Sequence, residues 1–274
     1  MISPVSRDHG IASGPFVSII VAVKNGAATI QRCLDSVREQ KYPHRELIVI
    51  DGGSGDRTPQ ILNANAVHLA DWESEPDRGI YHAWNKGVAR ARGEWICFFG
   101  ADDRYAAPDS LARLADLDDG RIDLILAKMA LVDASGRVTR VIGKPWCWEQ
   151  MKRFPDIAHP GMLHRRTLFE RYGLFDERYT IAGDYEFLMR LGSSTRAAFV
   201  PEVLVRAGEG GISRTLVRQV LDEVRAVQSS HPEIGRRRAA LNYWTGWTKH
   251  VGAGRLRRPG CASGWLRSAH AEGR

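Results

Sequence analysis

No stretch of the 274 residues approaches the roughly 18 consecutive apolar positions that a membrane-spanning helix needs; the longest candidate is residues 16–23 (FVSIIVAV). Residues 1–14 are polar and carry no hydrophobic segment of the kind found in a secretory leader, so none is expected. Cysteine is scarce. Cys33, Cys97, Cys147 and Cys261 lie far apart, and none forms a C-x-x-C pair. That excludes a disulfide scaffold and a clustered zinc set, and it points to a reducing, cytoplasmic setting. The sequence also lacks G-x-x-x-x-G-K-[ST] and has no G-x-G-x-x-G after its first strand. The P-loop and the Rossmann fingerprint are thereby excluded. Neither H-E-x-x-H nor a G-x-S-x-G elbow is present, which removes the common zinc peptidases and serine hydrolases.

Acidic residues are nearly absent from one region only. Residues 235–274 hold nine Lys/Arg against Glu272, a balance of +8, so the net +7 leaves about −1 for the remainder. The basic character belongs to a tail at residues 231–274, and no nucleic-acid partner is expected for the body. That tail mixes Arg236, Arg237, Arg238, Arg255, Arg257 and Arg258 with Tyr243, Trp244, Trp247 and Trp265. Arg with Trp suits the headgroup region of an anionic membrane, and a solvated extension is the alternative.

What is present is an alternation of strand and helix signals. Residues 16–23 and 46–50 (ELIVI) are short β-branched runs of the kind buried on both sheet faces. Helical spacing follows each, over residues 28–40 and 57–65. A weak third strand is expected at 67–70, a helix at 80–91, and a fourth strand at 94–99 (EWICFF) ending in Gly100-Ala101-Asp102-Asp103. Repeated β-α-β units predict an α/β fold with a parallel three-layer sheet. A hairpin (122–132 and 137–141), a helix at 185–191, a Gly-rich loop at 207–211 and a helix near 214–228 complete a mixed second half.

Ligands of open α/β sheets sit at the carboxyl ends of the strands. Three such ends carry acids: Asp51, Asp77 and the pair Asp102-Asp103. Adjacent carboxylates on a loop suit Mg²⁺ or Mn²⁺, and the alternative is a solvated turn. Asp51 opens an acid-Gly-Gly-Ser turn that could accept donors from a nucleobase or ribose. Asn85 and Lys86, on the helix that follows Asp77, could reach phosphate or sugar hydroxyls. Asp184, at a helix start, is either an N-cap or a general base. His159 is a second candidate from the same half.

Together these residues resemble the inverting family 2 glycosyltransferases of GT-A fold, especially bacterial enzymes that build exopolysaccharide, O-antigen or colanic acid units. The resemblance runs from Phe16 to Ser213. It rests on Val17-Ser18-Ile19-Ile20, Val49-Ile50-Asp51-Gly52-Gly53-Ser54, residues 75–87, Gly100–Asp103 and residues 183–186. It implies a GT-A three-layer α/β/α sandwich with a mostly parallel central sheet over residues 16–230, preceded by a flexible 1–15. A nucleotide-sugar-binding half (16–104) and an acceptor half (105–230) are expected within it. It also implies that Asp51, Asp77, Asn85, Lys86 and Asp102 line the donor pocket, that Asp103 is the metal ligand and Asp184 the base, and that His159 lies near the acceptor.

The implied reaction is a direct displacement with Mg²⁺ or Mn²⁺ assistance. A nucleotide-sugar donor, UDP-linked by preference, would serve a polyprenyl-diphosphate-linked or saccharide acceptor at the inner membrane. Two departures bear on the donor. Related sequences commonly carry an acid and a methionine where this one has His82 and Trp84, and an asparagine ahead of the acidic pair. A sugar-nucleotide-binding protein without catalysis is one rival reading, and a nucleic-acid-binding protein acting through the basic tail is the weaker one.

Overall fold

The computed structural model describes residues 14–154, 157–211 and 216–250, without the side chains of 249 and 250. The expected N-terminal segment lies almost wholly outside the described residues, and so do Arg255, Arg257, Arg258 and Trp265 of the tail.

Strand β1 (Val17–Val23) is buried along its whole length. Val17, Ile19, Val21 and Val23 enter one core, while Ile20 and Ala22 enter the other. The period-2 alternation of a strand thus supplies apolar side chains to both faces at once. Parallel neighbours β2 (Arg45–Asp51) and β4 (Trp95–Gly100) flank it, and β3 (Asp71–Ser74) extends the sheet beyond β2. Helix α1 (Ile30–Arg38) covers the first face, followed by α2 (Thr58–Asn65); α3 (Ile80–Arg90) covers the second. Gly87 lets α3 lie directly on β1, since a Cβ there would stand 2.3 Å from Ile20 Cγ2.

The second half adds β5 (Arg104–Tyr105), α4 (Ser110–Ala115), β6 (Leu124–Val132), β7 (Val138–Ile142) and α5 (Trp148–Met151). Then come β8 (Leu163–Arg165), α6 (Arg166–Tyr172), α7 (Gly183–Leu191), β9 (Ala197–Gly208) and α8 (Val217–Ser230). The strand order is β3-β2-β1-β4-β8-β6-β9-β5, with β7 paired to β6. The long pairings are parallel, and the antiparallel ones through β5, β7 and β8 are short. This is the three-layer α/β arrangement expected from the sequence.

The third strand departs from expectation. Residues 66–68 form a 3₁₀ turn in which Val67 is 87% exposed, and the strand is Asp71–Ser74. Its Glu73 is fixed by Lys86 (2.8 Å) and by Arg90 rather than by apolar packing. An edge strand held by ion pairs shows no hydrophobic run.

Part of the basic tail is structured. Helix α9 (Gly235–His250) lies against α8, with Ala239 buried and Asn242 Nδ2 donating to Gln228 Oε1 at 2.9 Å. Arg225 stacks over Tyr243, while Leu241 and Trp244 face outward. Among the described residues no helix is long and apolar enough to cross a membrane.

Candidate active site

Because β1, β2 and β4 are parallel, their carboxyl ends share one edge of the sheet. Asp51 terminates β2 there. It is fully buried, accepts from the Ser54 amide (3.1 Å), and receives the hydroxyls of Ser54 and Ser74. The loop after β1 is laced to the same turn. Asn25, with φ +53°, donates its amide to Ser54 Oγ (2.6 Å), and Gly26 donates to Thr58 Oγ1 (3.0 Å).

Asp77 closes over this turn. A Cβ on Gly52 would stand 2.5 Å from Asp77 Oδ2, so any other residue there would displace that carboxylate. One Asp77 oxygen accepts from the Gly79 amide at 3.2 Å. The other is buried without a hydrogen-bond partner among the described residues. Burial raises its pKa to about 6. An orphaned carboxylate oxygen is costly to leave unmade, and a ligand hydroxyl or amide would satisfy it.

Asp102 and Asp103 follow β4. Asp103 is 6% exposed and accepts from the Gly100 amide at 2.7 Å, which closes the turn. Asp102 lies against β9, where a Cβ on Gly208 would come within 2.8 Å of its Oδ2. Two adjacent carboxylates are an all-oxygen donor set that fits a hard divalent cation. Among the described residues no group of three or more His, Cys, Asp or Glu side chains could hold a metal. A diphosphate and water would therefore have to complete the coordination.

Helix α3 joins the two halves. The Tyr81 hydroxyl lies 2.6 Å from the Ile181 carbonyl and 3.3 Å from Asp184 Oδ1. Gly183 presses on the Tyr81 ring, where a Cβ would sit 2.7 Å from Cε2. Asp184 stands in the first turn of α7, accepts from the Tyr185 amide at 2.8 Å, and has its pKa raised to about 6, chiefly by burial. The segment before it is clamped by Glu223 of α8, whose Oε2 accepts from the amides of Ile181 (2.9 Å) and Ala182 (2.8 Å). Sequence reasoning missed Tyr81 and Glu223. Tyr81 sits in the distinctive 75–87 run, four residues after Asp77; nothing local marks Glu223.

Three expected contacts have other uses in this geometry. Asn85 is 7% exposed, and both ends of its amide engage the Phe175 backbone at 3.0 Å, with Glu177 Oε1 as a further acceptor. It latches the segment leading to Asp184 onto α3. Lys86 is paired to Glu73, with Glu75 at 4.0 Å. His159 is 5% exposed and enclosed by Trp84, Phe98, Phe175 and His164. Two residues on, Gly161 has φ +78°, and a Cβ there would stand 2.3 Å from Val205 Cγ2. A core position replaces the open acceptor contact that the sequence suggested. A cleft of about 470 Å³ lies at the opposite ends of β1 and β2, lined by Phe16, Arg45, Glu46 and Arg92, and carries none of the acids above.

The comparisons agree with this architecture. A PGL/p-HBAD biosynthesis glycosyltransferase of Mycobacterium bovis is 32% identical over 213 residues, covering 75% of this chain and 82% of that protein. The succinoglycan biosynthesis protein ExoO of Rhizobium meliloti is 29% identical over 242 residues, covering 79% and 68%. Among solved structures, S. aureus TarS in complex with UDP superposes with TM-score 0.64 at 20% identity, covering 86% of this chain and 72% of that one. The mannosyltransferase PcManGT of Pyrobaculum calidifontis, in complex with GDP-Man and Mn²⁺, gives 0.63 at 22% identity, covering 90% and 78%. The model of the family described as glycosyl transferase family 2 matches residues 18–176, and the chain belongs to that family as a GT-A-fold glycosyltransferase.

Proposed function

We propose that this glycosyltransferase moves a sugar, with inversion, from a nucleotide-sugar donor to a hydroxyl of a lipid-linked or saccharide acceptor in bacterial surface polysaccharide synthesis. The observation that carries this is Asp184: an acid facing Tyr81, with its pKa lifted toward the range of a working base. Tyr81, four residues after Asp77 in the chain, ties Asp184 to the helix that follows the turn at Asp51 and Gly52. In its ionised form Asp184 takes the proton of the attacking hydroxyl. Asp51 and the orphaned oxygen of Asp77 receive donors from the nucleoside. Asp103, with Asp102, would hold Mg²⁺ or Mn²⁺, which when bound supplies positive charge to the departing diphosphate. A single displacement needs no second acid, because the leaving group is already anionic; a glycoside hydrolase needs two flanking carboxylates. Names of relatives in succinoglycan and PGL/p-HBAD biosynthesis, and neighbours bound to UDP, UDP-GlcNAc and GDP-Man, support the donor and acceptor classes.

Purified protein given a panel of UDP-, GDP- and dTDP-sugars with Mn²⁺ should release nucleotide slowly from one donor. Asp103→Ala should reduce that release at least about 100-fold, the scale of losing one electrostatic contact to the leaving group. Equal release by the variant would remove Asp103 from the site.

The outward face of α9 supports peripheral contact with an anionic membrane: Leu241 (64% exposed) and Trp244 (62%) stand beside Arg236 and Arg237. Leu241→Ser with Trp244→Ser should lower co-sedimentation with anionic liposomes several-fold and leave the melting temperature unchanged. Undiminished sedimentation would dismiss this contact.

A further inference from the structure

Three arginines converge beside the acidic turn, and none has a hydrogen-bond or ion-pair partner for its side chain among the described residues. Arg104 and Arg206 face each other directly across the β5–β9 ladder. Like charges placed opposite in an antiparallel pair repel and destabilise the pairing. Arg206 goes further: its Nε is buried with no hydrogen-bond partner. Arg32 joins them from α1. That helix runs along the turn, with Cys33 Sγ 3.8 Å from the Gly100 carbonyl and Ser36 Oγ accepting from the Tyr105 amide at 3.2 Å. The Arg104 guanidinium is held below its ordinary pKa, first by burial and then by Arg206 and Arg32. Of the neighbouring acids, Asp103 accepts from the Gly100 amide and Asp102 lies against Gly208.

Two partly buried arginines paired in one ladder, with a third close enough to repel the first, are relieved when an anion binds among them. Guanidinium forks match phosphoryl oxygens in geometry as well as charge. The location separates this anion from the nucleoside. Asp51 ends β2, whereas Arg104 follows the acidic turn in the chain and pairs with Arg206 of β9 in the second half. We propose that Arg32, Arg104 and Arg206 form a subsite for the diphosphate of a lipid-linked acceptor, beside the acidic turn that would hold the donor's diphosphate and apart from the nucleoside at Asp51. This rests on the glycosyltransferase reading above and narrows its acceptor to one bearing phosphoryl groups. It also explains a cationic cluster that the displacement at Asp184 does not itself require.

The test uses inorganic pyrophosphate, titrated calorimetrically into the full-length protein in EDTA, with and without saturating UDP or GDP, whichever binds. Pyrophosphate should bind while the nucleotide is present. Arg104→Gln and Arg206→Gln should each weaken it at least about tenfold, the lower end of what a charge-assisted hydrogen bond contributes, and leave nucleotide affinity unchanged. Arg32→Gln, on an exposed helix position, tests the same point without disturbing the ladder. Two results would overturn the proposal: no pyrophosphate binding to the nucleotide-saturated protein, or nucleotide affinity falling by the same factor in the variants. The second would assign the cluster to the donor. If neither nucleotide binds the wild-type protein in EDTA or with Mn²⁺ present, the donor reading fails. The titration without nucleotide still decides the cluster, because pyrophosphate binding insensitive to all three substitutions rejects it.

Discussion

Asp184→Asn is expected to lower the rate of sugar transfer about 10²- to 10⁴-fold, the range contributed by a positioned general base, with nucleotide affinity and melting temperature nearly unchanged. Asparagine keeps the shape and can still accept from the Tyr185 amide, which lies 2.8 Å from Oδ1. It cannot take a proton. The pH dependence has a definite sign. Burial raises the carboxyl to about 6, and the base works only when ionised. The rate of the wild-type enzyme should therefore be level above that pH and fall about tenfold per unit below it. A variant retaining full activity, or a rate that rises as the pH drops through 6, would exclude Asp184 as the base. Glu223 belongs to the same argument. Its carboxylate gathers the amides of Ile181 and Ala182 just before α7, so the orientation of Asp184 depends on a helix almost 40 residues further along the chain.

The legible part of this protein is the part in which one short segment does its work alone. Residues 17–23 and 95–100 had to be strands buried on both faces, because no amphipathic period fits them, and the acids that follow such strands had to share an edge. Strand β3 was illegible because Glu73 is anchored by Lys86 and Arg90, partners on another element. Strand β9 was hidden for a related reason. Its parallel pairing with β6 shifts register at Ala127/Lys128 and Lys128/Met129, and Pro201 interrupts its run. Helix α9 has no clear apolar stripe of its own; it is secured by Ala239 and by the Asn242–Gln228 bond to α8. Within the site, residue type was readable and direction was not. Asn85 reads from the sequence as a contact to phosphate or sugar hydroxyls, yet whether its amide faces a ligand or the Phe175 backbone depends on a segment 90 residues away. The arginine cluster needed the β5–β9 register before Arg104 and Arg206 could be seen as neighbours.

The buried histidines should make the fold acid-labile well before its surface carboxylates protonate. His159 and His164 are 5% and 0% exposed, with ring centroids 5.0 Å apart. Trp84, Phe98 and Phe175 pack on the first; Phe98, Phe169 and Phe187 pack on the second. Burial lowers His159 to about 3 and His164 well below its ordinary value, the latter further depressed by His159. Both imidazoles are therefore neutral in the folded state and take up protons near pH 6.5 only on unfolding. The unfolded state binds more protons below that pH, so stability falls as the pH is lowered. From about pH 7.5 to 5.5 the pair should remove about 2.7 kcal/mol of unfolding free energy, summed over two independent imidazoles. Asp77 and Asp184, raised to about 6, act in the opposite sense, since their protonation favours the folded state. The measurement is consequently a difference: urea unfolding of the wild type against His164→Phe and His159→Phe at both pH values. Each phenylalanine suits its aromatic surroundings, and each should flatten the pH dependence by about half of the pair's contribution, whatever it does to stability at neutral pH. Parallel pH profiles for wild type and variants would mean that the two rings reach water or a proton acceptor in the folded protein.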